Sequence, residues 1–398
     1  MRTNRHSRSS AGPRCTRRLA AVATAVLLSA CTDGEPTAPL RPEYGVGNTA
    51  SGKQIFRFET FANEGFWTDT LQLHTAVETR ISPELALAVG LKVDASDLPP
   101  GFVQSADLTS PATTVELLAR NAVVGVKAEV ENGRITRLGI TCALCHSTVD
   151  NSVAPGIGTR LDGWANHDLN VGAIVALSPV LTSAQRRVYN SWRAGTYDPR
   201  FNIDGINGPV VIPPAYGLQG VALETYTGDG PISYWNAYVA VTQMHGRGSF
   251  ADPRLGLAIV AADDRVTPRL PALLQYQLSL RTPPPPAGSF DIAAAERGRL
   301  VFNGAGRCST CHTGTTFTDA NVTLHDPRDT GMNPEYAERS ATGKYRTTPL
   351  RALWQHPPYF HDGSAATLAA VVDHYNWFFR LRLTDAQKGN LIEYLKSL

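Results

Sequence analysis

The sequence contains one five-residue pattern twice, Cys-x-x-Cys-His, and this repeat constrains the fold more than any other feature. The first copy consists of Cys142, Cys145 and His146, and the second of Cys308, Cys311 and His312. Two thiols three positions apart can form thioether bonds to the two vinyl groups of one haem, and the adjoining imidazole can then bind its iron. The pattern therefore predicts two covalently bound haem c groups, each supplying part of a protein core.

Two other uses of paired cysteines are disfavoured. A zinc site usually places its two cysteine pairs about 15–20 residues apart, whereas 162 residues lie between Cys145 and Cys308. A thioredoxin-like redox pair needs a βαβ context and has no obligatory histidine. The two imidazoles, His146 and His312, are accordingly predicted to be iron ligands.

The N-terminus carries the pattern of an export signal. Residues 1–30 contain six arginines and no acidic residue, and residues 19–28 form an apolar run that is too short to span a bilayer comfortably. The residues Leu-Ser-Ala-Cys at 28–31 resemble a bacterial lipobox, which implies cleavage before Cys31 and a lipid anchor on that residue. The alternative is a simple secretory signal that is cut near Ala30.

Removal of this leader changes the sign of the net charge. The remaining chain has 31 Lys and Arg against 35 Asp and Glu, a net charge of −4, so the basic precursor gives no reason to expect a nucleic-acid partner. The partners expected instead are a redox protein, such as a small cytochrome or cupredoxin, and a membrane held through the N-terminal lipid. The predicted location is a membrane-anchored lipoprotein that faces the periplasm or the cell surface.

The composition along the chain predicts two haem domains. Residues 31–50 read as a lipoprotein tether, residues 51–281 as an N-terminal haem domain, residues 282–290 as a proline-rich linker and residues 291–398 as a C-terminal cytochrome c domain. The predicted fold class is mainly α, with two cytochrome c-like domains. The N-terminal domain is enlarged by loops and a small β-hairpin.

Local patterns predict the elements that hold the motifs. Asn132-Gly133 between two alternating segments predicts a hairpin that leads into the first motif. A glycine-bearing helix over residues 291–302 is predicted to precede the second motif. Thr384 to Gln387 matches a capping box, which predicts a terminal helix that can cross the first one closely.

The C-terminal quarter resembles the bacterial di-haem cytochrome c peroxidase family, which also contains the MauG-type enzymes. The resemblance is carried by Arg-Thr-Thr-Pro-Leu-Arg at 346–351, Pro-Tyr-Phe-His-Asp-Gly at 358–363 and the helix-forming residues 367–375. The family places a sixth iron ligand, Met or Tyr, fourteen residues beyond the histidine of its Pro-Tyr-x-His segment. That position is Tyr375 here.

Helical spacing independently favours Tyr375 as a haem contact. One face of the predicted helix carries Leu368, Val371, Val372, Tyr375 and Phe379. His374 lies about 100° away around the same helix. His374 and Met332 remain alternative ligands, and His361 is expected near a haem propionate or between the haems.

The resemblance is weaker around the N-terminal haem. The family carries a tryptophan between its haems, a glutamine after it and an acid–base glutamate further on. Trp235 is the candidate tryptophan, and His245, ten residues later, is the candidate catalytic imidazole, able to transfer a proton or to bind the iron. Leu255 occupies the position of the glutamate, and Asp252 is out of register. The alternatives left open are Trp164 and Trp192 for the tryptophan and His167 for the histidine.

These features leave three functions open. The first is electron transfer by an exported di-haem c-type cytochrome, and the second adds peroxidase or MauG-like oxidase activity at an open N-terminal haem. The third is a dioxygenase similar to the di-haem rubber oxygenases, which share the two-haem layout. The prediction is electron transfer, with catalysis at the N-terminal haem left open and the dioxygenase as the alternative.

Overall fold

The structure is a computed structural model that describes residues 48–398. The predicted leader, the anchor Cys31 and nearly all of the predicted tether lie outside the described residues. Within those residues the chain is mainly helical and carries five two-stranded sheets. The mainly α fold class is therefore confirmed. No helix in this part of the chain is long and apolar enough to cross a bilayer.

The helices are mostly short and are separated by loops. In chain order they are α1 (Thr49–Phe58), α2 (Leu73–Arg80), α3 (Pro83–Ala88), α4 (Phe102–Ser105), α5 (Pro111–Ala119), α6 (Ala143–His146), α7 (Val171–Ala176), α8 (Ser183–Tyr189), α9 (Phe201–Asp204), α10 (Ile232–Tyr238), α11 (Leu270–Ser279), α12 (Ile292–Asn303), α13 (Pro327–Thr330), α14 (Glu335–Glu338), α15 (Leu368–Phe378) and α16 (Asp385–Lys396). A π-helical turn, Val239–Gln243, continues α10.

The strands are short and all lie before residue 260. They are β1 (Val93–Asp94), β2 (Val126–Glu131), β3 (Arg134–Ile140), β4 (Ser147–Val149), β5 (Ile157–Gly158), β6 (Arg160–Asp162), β7 (Thr196–Tyr197), β8 (Val210–Val211), β9 (Phe250–Asp252) and β10 (Leu257–Ile259). The pairs β2–β3, β4–β6, β7–β8 and β9–β10 are antiparallel, and β1–β5 is parallel.

Two pairs of helices cross at a glycine, and each pair brackets one haem motif. In the pair α1–α11, a Cβ atom on Gly52 would overlap the carbonyl oxygen of Ala272. In the pair α12–α16, a Cβ atom on Gly298 would overlap the carbonyl oxygen of Asn390. A larger residue at either crossing would force the helices apart. The repeated arrangement agrees with two similarly built haem domains, although the domain division itself stays a prediction.

The hairpin before the first motif is confirmed. Strands β2 and β3 are joined by Asn132 and Gly133, whose φ angles are 52° and 76°. Both residues are in the left-handed region that a type I′ turn requires, and Asn-Gly adopts it at little cost. Strand β3 ends at Ile140, so the ribbon delivers the chain directly to Cys142.

The terminal helix forms as its local sequence predicts. The Thr384 side chain accepts from the Gln387 amide at 3.3 Å, and the Gln387 side chain accepts from the Thr384 amide at 2.9 Å, which is a capping box. Leu391 and Leu395 are buried against Phe302 of α12. Burying a side chain of this size contributes about 1.5–3 kcal/mol.

The predicted buried face of α15 is only partly correct. Leu368 and Val372 are buried. Phe379 lies on the same face, because it lines the second cavity and stacks on Tyr375 with 5.8 Å between ring centres, but it is 42% exposed and not buried. Helix α15 ends at Phe378, and Phe379 is its C-terminal cap.

Buried ion pairs connect residues that precede the second motif with residues that follow it. Arg339 contacts Asp198 at 3.0 Å and Asp204 at 2.7 Å. Arg346 contacts Glu224 at 2.7 Å, and both side chains are less than 10% exposed. Removing one partner of such a pair would leave a buried charge uncompensated.

Candidate haem sites

The first motif forms a one-turn helix with its imidazole held by the backbone. His146 closes α6, and its Nδ1 atom lies 3.0 Å from the carbonyl oxygen of Pro213. Because Nδ1 can donate its proton to that carbonyl, the Nε2 atom carries the free lone pair that a metal requires. Burial lowers the pKa of His146 to about 4, so the ring is neutral at physiological pH.

The second motif repeats this arrangement. The Nδ1 atom of His312 lies 3.0 Å from the carbonyl oxygen of Phe317. Burial lowers the pKa of His312 as well. In both histidines the proton is therefore on Nδ1, and Nε2 is left free. The carbonyl group that holds His146 lies 67 residues away in the chain, whereas the one that holds His312 lies 5 residues away.

Each motif lines a large cavity with mainly apolar walls. The first cavity has a volume of about 340 Å³ and is lined by Cys142, Cys145 and His146. The second has a volume of about 270 Å³ and is lined by Cys308, Cys311 and His312. An apolar cavity with two thiols and one imidazole in its wall fits a covalently attached porphyrin.

The thiols of both motifs lie in apolar surroundings that suit a haem. None of the four motif cysteines is part of a disulfide. Burial raises the pKa of Cys142 and Cys145 to about 12 and that of Cys308 to about 11. Apolar surroundings are what the flat face of a haem needs.

One other cluster in the described residues has metal-binding atoms. Atoms of Cys311, Asp319 and His325 lie within 4.8 Å of one another. The Nε2 atom of His325 is already 2.9 Å from Asp319. A thioether bond at Cys311 would remove its thiolate, so this cluster competes with the haem motif for the same sulfur.

The second cavity brings Tyr375 and the second motif together. The Tyr375 side chain lines this cavity, and burial raises the pKa of its phenol. Met332 also lines it, whereas His374 is not part of its wall. The Nε2 atom of His374 lies 3.0 Å from the carbonyl oxygen of Thr330. Of the three proposed sixth ligands, Tyr375 and Met332 are therefore placed at this site.

The first cavity brings His245 and Trp235 together with the first motif. Both side chains line its wall. The His245 ring stacks on Phe66 with 3.5 Å between ring centres, and burial lowers its pKa. His245 has a φ of 60°, the left-handed backbone conformation, directly after the π-helical turn. A neutral imidazole here can accept a proton or bind a metal.

The sequence suggested Trp235 as the residue between the two haem sites, but other residues form the wall between the cavities. Trp235 lines the first cavity but not the second. The residues that line both cavities are Val211, Ile212, Pro213, Pro214, Tyr226 and Arg346. This shared wall includes the carbonyl group that holds His146, so the predicted ligand of the first iron is tied directly to it.

The alternative residues occupy three different places. Trp192 lines the first cavity. Trp164 lines neither cavity, and its ring lies 5.6 Å from that of Trp354. His167 was considered for the first haem, but it lies in the wall of the second cavity, 3.2 Å from the carbonyl oxygen of Ile212.

Sequence reasoning missed a buried carboxylate at the first cavity. Glu224 lines this cavity, is 3% exposed and accepts a hydrogen bond from Arg346. Burial raises the pKa of Glu224 by more than the neighbouring Arg346 lowers it, so the net shift is upward. Asp252 instead bonds the Tyr234 hydroxyl at 2.7 Å, outside the cavity wall. Glu224 precedes Trp235 in the chain, whereas the family pattern directs attention to residues after it.

Sequence comparisons identify relatives in one superfamily. The chain is 37% identical over 123 residues to the methylamine utilization protein MauG of Methylorubrum extorquens, covering 27% of this chain and 35% of that protein. It is 28% identical over 124 residues to MauG of Methylophilus methylotrophus, covering 26% and 36%. It is 26% identical over 151 residues to the cytochrome-c peroxidase IdrP1 of Denitromonas iodatirespirans, covering 27% and 40%.

The chain thus matches between 35% and 40% of the length of these relatives. No family model matches it. Two solved structures show low overall similarity. Hydrazine synthase of Kuenenia stuttgartiensis has a TM-score of 0.37 at 18% identity, covering 53% of this chain and 78% of that one. A MauG-like protein associated with microbial copper homeostasis has a TM-score of 0.34 at 19% identity, covering 48% and 74%. The sequence matches confirm the resemblance to di-haem MauG and cytochrome c peroxidase proteins.

Proposed function

We propose that this relative of the di-haem MauG and cytochrome c peroxidase superfamily is an exported di-haem c-type cytochrome with peroxidase- or oxidase-like activity at its first haem. The observation that carries the proposal is that His146 and His312 are held by the backbone in the same way. Each has Nδ1 at 3.0 Å from a backbone carbonyl and a free Nε2 atom beside two thiols and an apolar cavity. Haem c supplies a redox-active iron at such a site.

The chain's own residues have distinct roles in this proposal. His146 and His312 bind the two irons from one side, with their orientation held by Pro213 and Phe317. Tyr375 is the proposed sixth ligand of the second haem. A filled site of that kind favours electron transfer, whereas an open site binds peroxide or dioxygen.

His245 is the proposed acid–base group of the first haem. Its ring is held against Phe66 and lines the same cavity as His146. Burial lowers its pKa, so the neutral ring would hold or release a proton beside a haem attached at the first motif. Trp235 is proposed to form the adjacent wall, which excludes water from the reacting oxygen atoms.

Electrons are proposed to enter at the second haem and to reach the first through the shared wall. The same side chains line both cavities there, so a single layer of residues would lie between the two haem groups. The proposed donor is a small redox protein such as a cytochrome or cupredoxin. The proposed location is the periplasmic or outer face of a membrane, with Cys31 as the lipid anchor.

Two measurements on the purified mature protein test the proposal. The intact mass should exceed that of the bare chain by two haems. After reduction, one haem should bind carbon monoxide and the other should stay low-spin and inert. A colourless protein, or zinc at the four thiols, would contradict the haem assignment. If neither haem binds carbon monoxide, the proposed catalysis is contradicted and only electron transfer remains.

The alternative function is a dioxygenase similar to the rubber oxygenases, and one observation favours it. The first cavity extends beyond the motif to helices α2, α3, α5 and α7, whose contribution to the wall is apolar apart from Thr114. Such a wall suits an apolar substrate. Steady-state assays with hydrogen peroxide and an electron donor, and then with dioxygen and polyisoprene, distinguish the two activities.

A further inference from the structure

Four aromatic side chains connect the walls of the two cavities. Tyr336 lines the first cavity, Tyr345 and His361 line the second, and Tyr226 lines both. We call these four residues the aromatic bridge. Together they form a continuous path of π-systems from one proposed haem site to the other.

The imidazole of His361 lies at the centre of the aromatic bridge. Its ring centre is 4.6 Å from that of Tyr345 and 6.1 Å from that of Tyr336, with interplanar angles of 30° and 23°. Tyr226 meets it edge-on at 6.3 Å. The side chain is 6% exposed, and its backbone carbonyl accepts from the Val211 amide at 2.8 Å. The bridge is therefore attached to the shared wall.

The phenol of Tyr345 has a base within hydrogen-bond distance. Its hydroxyl oxygen lies 3.0 Å from Nε2 of His361 and 2.7 Å from the carbonyl oxygen of Asn333, and it accepts from the Ala337 amide at 3.2 Å. The hydroxyl donates to the Asn333 carbonyl oxygen. When His361 carries its own proton on Nδ1, its Nε2 atom is a second acceptor, and of the two only the imidazole can take the proton up. Burial lowers the pKa of His361, so this ring is neutral at rest.

The charges around the bridge favour oxidation at Tyr345 over its neighbours. The Arg200 guanidinium lies over the ring of Tyr336 at 5.5 Å and over that of Trp235 at 5.8 Å. A cation on the ring face attracts the neutral π-system but repels the positive charge that forms when the ring loses an electron. Within residues 48–398, no cation lies over the face of Tyr345, and a proton acceptor lies beside its hydroxyl, so it can lose an electron and a proton together.

We propose that Tyr345 is a reversible one-electron redox site whose proton is held by His361. This proposal rests on the proposed function, because the oxidant is the first haem after reaction with hydrogen peroxide. Peroxide takes two electrons and two protons and becomes two waters. Tyr345 would supply one of those electrons and a haem iron the other, and both protons would come from solvent. The O–H proton of Tyr345 would move to Nε2 of His361. The products are a neutral tyrosyl radical and an imidazolium.

The reverse step restores the resting protein. Two electrons from a reduced redox partner, delivered by the second haem, would restore the iron and reduce the radical, and the imidazolium would return its proton to the phenolate oxygen. The pair therefore stores one oxidising equivalent between the two haems until a donor arrives. Neither Arg200 nor Tyr336 changes its protonation in this cycle.

The experiment combines low-temperature EPR with optical spectra after one equivalent of hydrogen peroxide is mixed with the two-haem protein. The wild type should give a tyrosyl signal as the haem bands change, and Tyr345→Phe should lose it. The matched control Tyr336→Phe keeps a ring in the stack and should retain the signal. In deuterated water the wild-type signal should form more slowly, and His361→Gln should lower its yield.

The possible failures are distinguishable. If peroxide leaves the haem bands of the wild type unchanged, the proposed function fails and the inference fails with it. If the bands change but the wild type gives no tyrosyl signal, or Tyr345→Phe keeps that signal, the inference alone is overturned. If Tyr345→Phe does not bind haem, an unchanged signal in His361→Gln with no solvent isotope effect overturns it.

Discussion

Gly298 in α12 and Asn390 in α16 are in backbone contact, so close that a Cβ atom on Gly298 would overlap the Asn390 carbonyl oxygen. The equivalent contact between α1 and α11 involves Gly52 and Ala272. Both crossings support a haem motif that lies between the two helices in the chain. The close approach of these helices is therefore part of what builds each proposed haem site.

Substitution at the second crossing should be strongly destabilising. Gly298→Ala is expected to lower the free energy of unfolding by about 1–3 kcal/mol, because the added methyl group must push two backbones apart. The matched control is Gly389→Ala in α16, where a Cβ atom meets nothing within 4 Å. That variant should be neutral or more stable by about 0.5–1 kcal/mol. Denaturant unfolding of the haem-loaded protein measures both, and equal effects would contradict the role of the crossing.

Removal of the second proximal imidazole should leave the haem attached but alter its spectrum. His312→Gly keeps both thiols of the second motif, so the mass should still correspond to two haems while the iron loses its ligand. The control is His325→Gln, because His325 lines the same cavity and bonds Asp319. An unchanged Soret band in His312→Gly would falsify the assignment, whereas His325→Gln should leave the band as it is.

Tyr375 and His374 are neighbours in the chain but face different surroundings. Tyr375→Phe should convert the second haem to a species with a vacant sixth position, which is visible as a change of spin state and new carbon monoxide binding. His374→Gln loses a contact with the Thr330 carbonyl and should change stability only. If the spin state responds to His374→Gln and not to Tyr375→Phe, the sixth ligand lies elsewhere, with Met332 as the remaining residue of the three.

His356 should make the protein less stable in mild acid. It lines the second cavity, and desolvation lowers its pKa from 6.5 to about 4. The unfolded chain binds a proton at this residue near pH 6.5 and the folded chain does not, so the stabilisation is complete above pH 6.5 and is lost as the pH falls towards 4. The loss should reach about 3 kcal/mol. In His356→Gln, unfolding measured from pH 7 to pH 4 should show a shallower decline. An identical pH profile in the variant would contradict this pKa.

Local features of the fold were predictable because their causes lie within a few residues. The turn at Asn132-Gly133 depends on the backbone freedom of those two residues. The capping box depends on Thr384 and Gln387. Helical spacing also placed Phe379 on the face of Tyr375, but the degree of burial depends on tertiary packing, and Phe379 is partly exposed at the end of α15.

The position of residues relative to the cavities was less predictable. His167 follows the first motif closely in the chain, yet it lines the second cavity. Trp235 contacts only the first cavity, and Tyr226 takes the place between the two. Glu224 lines the first cavity because of the way its loop folds, and no spacing between sequence motifs predicts this.

The sequence by itself determined the chemistry of this protein: two pairs of thiols, each with an adjacent imidazole, specify where haem can be attached, since the reacting atoms are neighbours along the chain. Only the tertiary structure decided which nitrogen of each imidazole is free, which side chains separate the cavities and which tyrosine has a base beside it. Some of those relations join segments far apart in the chain, such as Tyr226 and Tyr345 in the wall of the second cavity. They follow from the packing of all the helices and loops together, so no local pattern encodes them.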